Sequence, residues 1–402
     1  MVTEFLNRYV SIEKETAYGT EPSGTQTFGE VDDESFSTQF EMLGRSDISR
    51  QISSKMVTGT EYSEGGINMA TQVDDFFGML LHGILPDDTV SGAAATSQHV
   101  LEAASYGLNK RTSNTALANK GVFDTTVVYA VGDYVIYSDE LWRFTSAHSA
   151  GAWAPADAYL ITYPSFTVRV GRESKEHTYT GMMLNSMNLT ANVGEYVMSS
   201  FDFVGKSESA TSALNTSSVL FDGVALDALH FANGTVKFDN GTDGLGSASA
   251  KVKSINLSIS MNRDTDNSYG LGSSTYRNAP ASQLMEISGT IDFNEVVYTA
   301  AAEEPTYDTL ITEDGLSFED PSFDGNSVMQ LVFNDMEAAA SQLMIRLYHL
   351  RFEAPSANVS GRDTATMSVN FTALMNPLLG KAIDIRLIGT GLDDGSGAPA
   401  AY

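Results

Sequence analysis

Residues 254–261 decide the fold, and they read SINLSISM. Their odd positions are all isoleucine, leucine or methionine, and their even positions are serine or asparagine. Successive side chains of a strand point to opposite faces of a sheet, so this period of two predicts a strand with one buried and one polar face. The same period recurs at 186–193, 285–293 and 367–371. The chain is therefore predicted to be mainly β, with sandwich or barrel sheets that carry a hydrocarbon face and a Ser/Thr/Asn face.

One segment has the period of a helix instead. The apolar residues of 73–84 recur at intervals of three and four, which is the spacing of one helix face. Thr71 is the expected N-cap, and Asp74 and Asp75 fall in the first turn, where the helix dipole favours negative charge. We expect this helix to lie across one face or end of a sheet.

Composition excludes several classes of function. Of 402 residues, 51 are acidic and 23 are Lys or Arg, which gives a net charge of −28, and there is no cysteine. An acidic chain repels polyphosphate, so tight wrapping of DNA or RNA is not expected. Without cysteine there are no disulfides, thiolate metal sites or cysteine nucleophile. No export signal is visible and no apolar stretch is long enough to cross a bilayer, so we expect no membrane insertion.

The sequence offers no catalytic or metal-binding motif. Adjacent acids such as Asp87-Asp88 do not supply two carboxylates on opposite sides of one sugar bond, so they are better interpreted as solvated surface acids. The six histidines lack a zinc spacing. Residues 238–244 space oxygen ligands as a calcium loop does but lack the closing glutamate, which favours a turn between strands. We expect no enzyme activity, no catalytic or metal site and no cofactor.

The sequence also repeats itself. Residues 182–206 and 348–374 share a strand, an Asn-Val pair, a short turn and a strand ending in phenylalanine, at an offset of 166. Gly66 matches Gly289 at an offset of 223, so an insertion of about 57 residues lies in the first copy only. The alternative is chance similarity between amphipathic strands. We predict two tandem β-domains, each with a short helix, and a small inserted β module: 1–106 with 162–215, then 216–402, with the module at 107–161.

Several stretches resemble a known family. The run at 9–22, YVSIEKETAYGTEP, resembles the opening of tail tube (major tail) proteins of long-tailed bacteriophages. The Gly-rich turn, strand and helix of 64–85 and the strands at 165–172 and 201–206 resemble the same family, and the order of these stretches carries the likeness. The inserted stretch at 129–137, with the two tryptophans that follow it, is similar to small carbohydrate-binding modules of the chitin-binding type.

The tail tube resemblance implies a virion structural protein of a siphophage-like particle. Such subunits self-assemble into rings, and the rings stack into a tube that delivers DNA to the host during genome ejection. The resemblance implies synthesis in the host cytoplasm, a place in the virion tail, contacts with tail terminator and tail tip proteins, and no membrane partner. If the chain carries two tube domains, three chains would make a ring of pseudo-sixfold symmetry, whereas a single-domain relative needs six. An acidic wall suits DNA that passes without tight binding.

One candidate assembly surface lies between the first β segments and the helix. Residues 44–65 are polar and bounded by glycine, which predicts an extended hairpin that reaches a neighbouring ring. Its basic residues, Arg45, Arg50 and Lys55, are the candidate contacts. An ordinary surface hairpin is the alternative. We also expect residues 1–30 and 389–402 to be arms that order only on a partner.

The inserted module offers a candidate ligand site. Trp142, Trp153 and Tyr137 could stack on the sugar rings of a host surface glycan, or they could be the core of a small module. Two other classes of function therefore stay open, a lectin-like glycan-binding surface protein and a capsid decoration protein. An acid hydrolase is a third competitor, without residues that single it out.

Overall fold

The structure is a computed structural model, and the residues that it describes are 8–45, 55–92, 97–103, 119–138, 140–214, 228–239, 250–272, 276–298, 305–312, 317–319, 328–335, 341–358, 365–376, 381–389 and 392. Within these ranges the chain forms two α-helices, α1 Asp75–His82 and α2 Tyr307–Thr312. The first fourteen strands are β1 Tyr9–Lys14, β2 Thr27–Gly29, β3 Asp33–Glu34, β4 Ser37–Arg45, β5 Lys55–Ala70, β6 Asp87–Ser91, β7 Ser97–Glu102, β8 Asn119–Val122, β9 Tyr134–Tyr137, β10 Glu140–Phe144, β11 Ala158–Leu160, β12 Phe166–Arg172, β13 Lys175–Asn192 and β14 Met198–Gly205. The other strands are β15 Ser207–Glu208, β16 Ser212–Ala213, β17 Gly234–Phe238, β18 Val252–Ser260, β19 Glu286–Phe293, β20 Ser317–Glu319, β21 Met329–Asn334, β22 Gln342–Leu347, β23 His349–Phe352, β24 Ser356–Asn358, β25 Thr366–Ala373 and β26 Ile383–Gly389.

These strands form three sheets, and the chain is mainly β with antiparallel pairing, as predicted. The first sheet contains a continuous run, which we call the long sheet: β3 and β4, then β5, β14, β13, β18, β19, β25, and finally β23 and β24. Strand β13 also pairs through its first half with β12, which pairs with β1. The second sheet has the order β17-β21-β22-β26-β7-β6, and the third has the order β11-β10-β9-β8.

The long sheet has the two faces that its sequence predicts. Leu189 of β13 and Leu257 of β18 are almost wholly buried and lie opposite each other. They belong to one apolar cluster with Leu343 of the second sheet and Phe77 of α1. The core therefore lies between the long sheet, the second sheet and α1, and apolar burial is the main force that holds these layers together.

The helix begins later than the sequence predicts. Asp74 is its N-cap, because the Asp74 carboxylate accepts a hydrogen bond from the Phe77 N–H at 2.7 Å. Thr71 is not the cap: its hydroxyl is hydrogen-bonded to the Ser199 hydroxyl at 2.6 Å, and its N–H donates to the Val197 carbonyl. The prediction of Thr71 was wrong because this side chain is held by a neighbouring strand before the helix starts.

The first residues of the described chain are part of the core. Strand β1 pairs with β12 over its whole length and with β2, and Val10 and Ile12 are buried. The expectation of a free arm is therefore wrong from residue 8 onward, because β1 has a period-two pattern of its own that fills a place in the sheet. Residues 1–7 and most of 389–402 lie outside the described residues.

The order of pairing repeats along the long sheet. Phe203 of β14 lies opposite Gly65 of β5, and Phe371 of β25 lies opposite Gly289 of β19. These registers give offsets of 168 and 224 residues rather than 166 and 223. The small difference arises because the matching Asn-Val pairs lie at turns, where the two copies differ in length.

Strands of the two predicted β-domains pair with each other. In the long sheet β13 pairs with β18, and in the second sheet β7 pairs with β26. The division into 1–106 with 162–215, 107–161 and 216–402 stays a prediction.

Candidate functional site

A two-stranded hairpin extends the long sheet at β4 and β5. It begins before the predicted span of 44–65, because β4 starts at Ser37. Arg45 and Lys55 lie opposite each other at the end of its described part, and both are exposed, whereas Arg50 lies outside the described residues.

The hairpin also carries exposed apolar side chains that the sequence analysis did not single out. The apolar residues that are more than half exposed on it are Phe40, Met42, Leu43, Met56 and Val57. A contiguous apolar surface of this kind on a soluble protein marks a contact with another protein. The signal was present in the sequence, but it was outweighed there by the polar residues of the same stretch.

The long sheet ends in two open edges. Among the described residues, β3 and β4 pair only with β5, and β24 pairs only with β25. An edge strand presents backbone N–H and C=O groups that can pair with another chain. Both edges are therefore candidate sites of strand addition.

Side chains occupy the backbone of the edge at β3 and β4. The N–H of Phe36 donates to Glu34 Oε2 at 3.1 Å, and the Phe36 carbonyl accepts from Arg172 Nη2 at 2.8 Å and from the Tyr179 hydroxyl at 3.2 Å. Arg172 also donates to both carboxylate oxygens of Glu34, at 2.9 and 2.6 Å. This bond to Glu34 raises the pKa of Arg172. A cleft of about 1010 Å³ opens beside this arrangement.

The polar face of the long sheet is lined by side chains that bond to one another across the strands. The Ser186 hydroxyl donates to Asp202 at 2.7 Å, and the Ser254 hydroxyl donates to Asp292 at 2.6 Å. Arg351 lies on this face opposite Thr372. The carboxylates that the register places on the same face are Asp33, Glu64, Asp202, Glu286, Asp292 and Glu353.

The third sheet is attached to the second through β6. Asp87 is 1 % exposed and accepts hydrogen bonds from the Tyr134 hydroxyl and, at 2.7 Å, from Arg143 Nη1. Arg143 also donates to Thr89. Burial, with the Asp87 carboxylate next in effect, raises the pKa of Tyr134, so its hydroxyl remains a donor. Sequence reasoning missed this contact because its partners are about fifty residues apart and no local pattern joins them.

Asp87-Asp88 is therefore not a pair of solvated surface acids, and that interpretation was wrong. Asp88 is also buried and is hydrogen-bonded to His99 Nδ1 at 2.9 Å. His82 lies nearby on α1, with its Nε2 atom 3.2 Å from Lys14 Nζ. Burial, and then the Lys14 charge, lower the pKa of His82 well below its usual range. Paired acids can thus be structural when their strand lies inside a sheet.

The structure brings the three predicted glycan-stacking residues together. The Trp153 ring stacks on the Tyr137 ring, with centroids 4.3 Å apart and an interplanar angle of 11°. Trp142 meets Trp153 edge-on at 5.1 Å, and Phe123 does the same from another side. All three predicted residues are half-buried. The rings therefore form a small aromatic cluster in which Tyr137 covers one face of Trp153.

No helix in the described part of the chain is long and apolar enough to cross a membrane. Within the same residues no group of three or more His, Asp or Glu side chains could hold a metal ion. Open sheet edges, an apolar hairpin and a polar face without a reaction centre define a class: a β-rich structural subunit.

A family model described as phage tail tube protein matches residues 6–373. The chain therefore belongs to the phage tail tube protein family, which makes it a structural protein of the bacteriophage virion, located in the tail. No curated protein matches the chain.

Proposed function

We propose that this chain is the tail tube subunit that self-assembles into stacked rings and forms the conduit for DNA delivery to the host. The observation that carries the proposal is the pair of open edges at opposite ends of the long sheet. A sheet that can be extended at both ends by the same kind of chain closes into a ring when the sheet is curved.

Three chains per ring, with pseudo-sixfold symmetry, follow from the repeat. The long sheet consists of two runs of the same pairing order, from β3 and β4 to β13 and from β18 to β24. Each run corresponds to one predicted tube domain. Two such units per chain let three chains supply the six that a single-domain relative would need six chains to supply.

The polar face of the long sheet is the surface that faces the bore in this proposal. Its hydroxyl and amide donors are bonded to neighbouring carboxylates, so few remain for a passing duplex. Double-stranded DNA carries about one negative charge per 1.7 Å, and carboxylates repel it. DNA therefore passes this wall without tight binding, and the chain needs no cofactor, metal or catalytic residue.

The hairpin is the proposed contact between rings. Its exposed apolar residues supply area that water does not favour, and Arg45, Arg50 and Lys55 supply charges opposite to the acidic character of the chain. The same surfaces at the two ends of the tube would meet the tail terminator and tail tip proteins. Synthesis in the host cytoplasm and a siphophage-like tail belong to this proposal.

Electron microscopy of the purified chain at high concentration tests the proposal. We expect hollow filaments with a regular axial repeat. Replacing Leu43 and Val57 by serine should leave single rings but shorten or abolish filaments, whereas Val131→Ser, an equally exposed site on the inserted module, should leave filaments unchanged. Monomers at every concentration would refute self-assembly, and unaltered filaments of the hairpin variant would refute the contact between rings.

The aromatic cluster supports a second candidate function, binding of a host glycan by a chitin-binding-like module at 107–161. The supporting observation is that Tyr137, Trp142 and Trp153 are only half-buried although they pack together. Sedimentation with insoluble chitin tests it: the chain should bind, Tyr137→Ala should bind at least tenfold more weakly, and Val128→Ser should bind normally. Equal sedimentation of all three proteins, or none, would contradict glycan binding through this cluster.

Removing residues 107–161 separates the tube from the lectin-like alternative. A tube subunit should still form filaments, whereas a lectin-like protein would lose its measurable activity. Filaments that also fail to form, together with binding of the intact chain to whole capsids, would favour a capsid decoration protein.

A further inference from the structure

The long sheet contains an internal model of its own closure. Where the two runs meet, β13 pairs with β18 in a register that places Asn188 opposite Ser258 and Leu189 opposite Leu257. This junction joins the last strand of the first run to the first strand of the second. At the two ends of the sheet, the equivalent strands have no such neighbour among the described residues.

The strand equivalent to β18 is the edge formed by β3 and β4. Ser37 lies opposite Glu64, and Ser258 lies opposite Ser288, and the two partners are related by the offset of 224 that relates β5 to β19. Ser37 is therefore the counterpart of Ser258, and Phe36 is the counterpart of Leu257. Both Phe36 and Leu257 are buried, as this equivalence requires.

The strand equivalent to the end of β13 is β24. Ser356 lies opposite Ser368, and Asn188 lies opposite Ser200, and these partners are related by the offset of 168. Ser356 is therefore the counterpart of Asn188.

We propose that the edge formed by residues 35–39 of one chain pairs antiparallel with residues 354–358 of a second copy, in the register that places Ser37 opposite Ser356. This inference rests on the proposed function, since it names the strands that close the ring. In the same register Phe36 lies opposite Ala357, and Gln39 lies opposite Ala354.

The register keeps polar residues on the polar face. Ser37 and Ser356 fall in the row that Asn188 and Ser258 occupy inside the chain. Pro355 takes the place of Met187 and has no N–H, so the junction between chains has one backbone hydrogen bond fewer than the internal one. Proline is tolerated at such an edge position and not in a central strand.

The side chains around Phe36 differ between the two runs in the way that this junction requires. Arg172 and Tyr179 bond to the Phe36 carbonyl at the open edge. Their counterparts in the second run, where β13 already covers the edge, are the buried apolar residues Phe333 and Leu347. The polar pair is present only where the backbone lacks a neighbouring strand, so it satisfies the open edge until a second copy replaces it.

Engineered disulfides test the register, and the absence of cysteine from the chain makes the test clean. The Ser35 N–H donates to the Gly66 carbonyl, so Ser37 also turns its backbone toward β5 and would form a non-hydrogen-bonded pair with Ser356. Such pairs have Cα atoms about 4.5 Å apart, which suits a disulfide. Ser37→Cys with Ser356→Cys should give covalent dimers and trimers on non-reducing gels after mild oxidation.

Two further pairs make the test decisive. Asn188→Cys with Ser258→Cys, the internal counterpart, should cross-link within one chain and remain monomeric. Ser37→Cys with Ala354→Cys is a diagonal pair about 7–8 Å apart and should cross-link at least tenfold more slowly than the register pair. If a cysteine at 356 prevents assembly, Gln39→Cys with Ala354→Cys tests the same register.

The outcomes separate this inference from the proposed function. Assembled rings or filaments in which the register pairs do not cross-link, or in which the diagonal pair reacts as fast, would overturn the register and leave the tube. A chain that neither assembles nor cross-links between copies would overturn both.

Discussion

Replacing Gly289 by alanine tests the packing on which the long sheet depends. Gly289 lies in the middle of β19, opposite Leu257 on one side and Phe371 on the other. A Cβ atom at this position would lie well inside 3.0 Å of the Asn256 carbonyl oxygen and of the Phe371 ring. The carbonyl belongs to the backbone, so β18 itself would have to move away from β19.

The expected cost can be estimated from these contacts. Overpacking costs about 1–3 kcal/mol, and the backbone clash places Gly289→Ala near the upper end. Alanine gains about 0.4–1 kcal/mol by reducing the freedom of the unfolded chain, which leaves a net loss of about 2 kcal/mol. At about 1.4 kcal/mol per factor of ten, amide protection in β18 and β19 should fall roughly 30-fold.

Hydrogen exchange followed by mass spectrometry is the suitable assay, because both tryptophans, Trp142 and Trp153, lie in the inserted module and their fluorescence would not report on this sheet. Gly151→Ala is the matched control: its Cβ would lie 3.7 Å from the Ser149 carbonyl, an ordinary contact. Protection unchanged in Gly289→Ala, or lost equally in the control, would refute the packing argument.

Three further predictions concern the module, the bore and pH. Asp87→Asn removes the carboxylate that pairs with the buried Arg143, so the third sheet should lose about 3 kcal/mol of its attachment while filaments still form; unchanged exchange rates in β9 and β10 would count against this contact. Replacing Asp202 and Asp292 by lysine should leave filaments intact but make them bind duplex DNA, with log K falling by about 0.9 per phosphate contact as log salt rises; binding that is absent or independent of salt would contradict the placement of this face in the bore. Burial lowers the pKa of His82, so the unfolded chain binds a proton that the folded chain does not, and stability should fall as pH drops below 6.5. His82→Gln should flatten the loss of α1 protection between pH 7.5 and 5.5, and an equal loss in both proteins would show that another group controls it.

The strands of the long sheet could be predicted because each records its two environments in its own residues. Residues 254–261 alternate strictly, and β18 spans Val252–Ser260 with the odd positions buried. The helix was predicted for the same reason, since its apolar stripe is local. Its cap was not, because Thr71 and Asp74 both fit an N-cap and only the contact with Ser199 decides between them.

Long-range pairings could not be predicted from the sequence alone. Strand β7 pairs with β26, whose residues lie nearly three hundred positions further along the chain, and neither strand indicates its partner. The attachment of Asp87 to Tyr134 and Arg143 depends on that same arrangement. The aromatic cluster was anticipated as a set of residues, but its packing geometry depends on how β9 and β10 pair.

Electron cryomicroscopy of assembled chains tests the central claim most directly, since it shows how the long sheet meets its copies. We predict a hollow cylinder of stacked rings, each with three chains, in which the long sheets join edge to edge and the face bearing Asp202 and Asp292 lines the bore. A particle in which the edges at β4 and β24 remain solvent-exposed, or in which the apolar hairpin rather than this face lines the interior, would contradict the account.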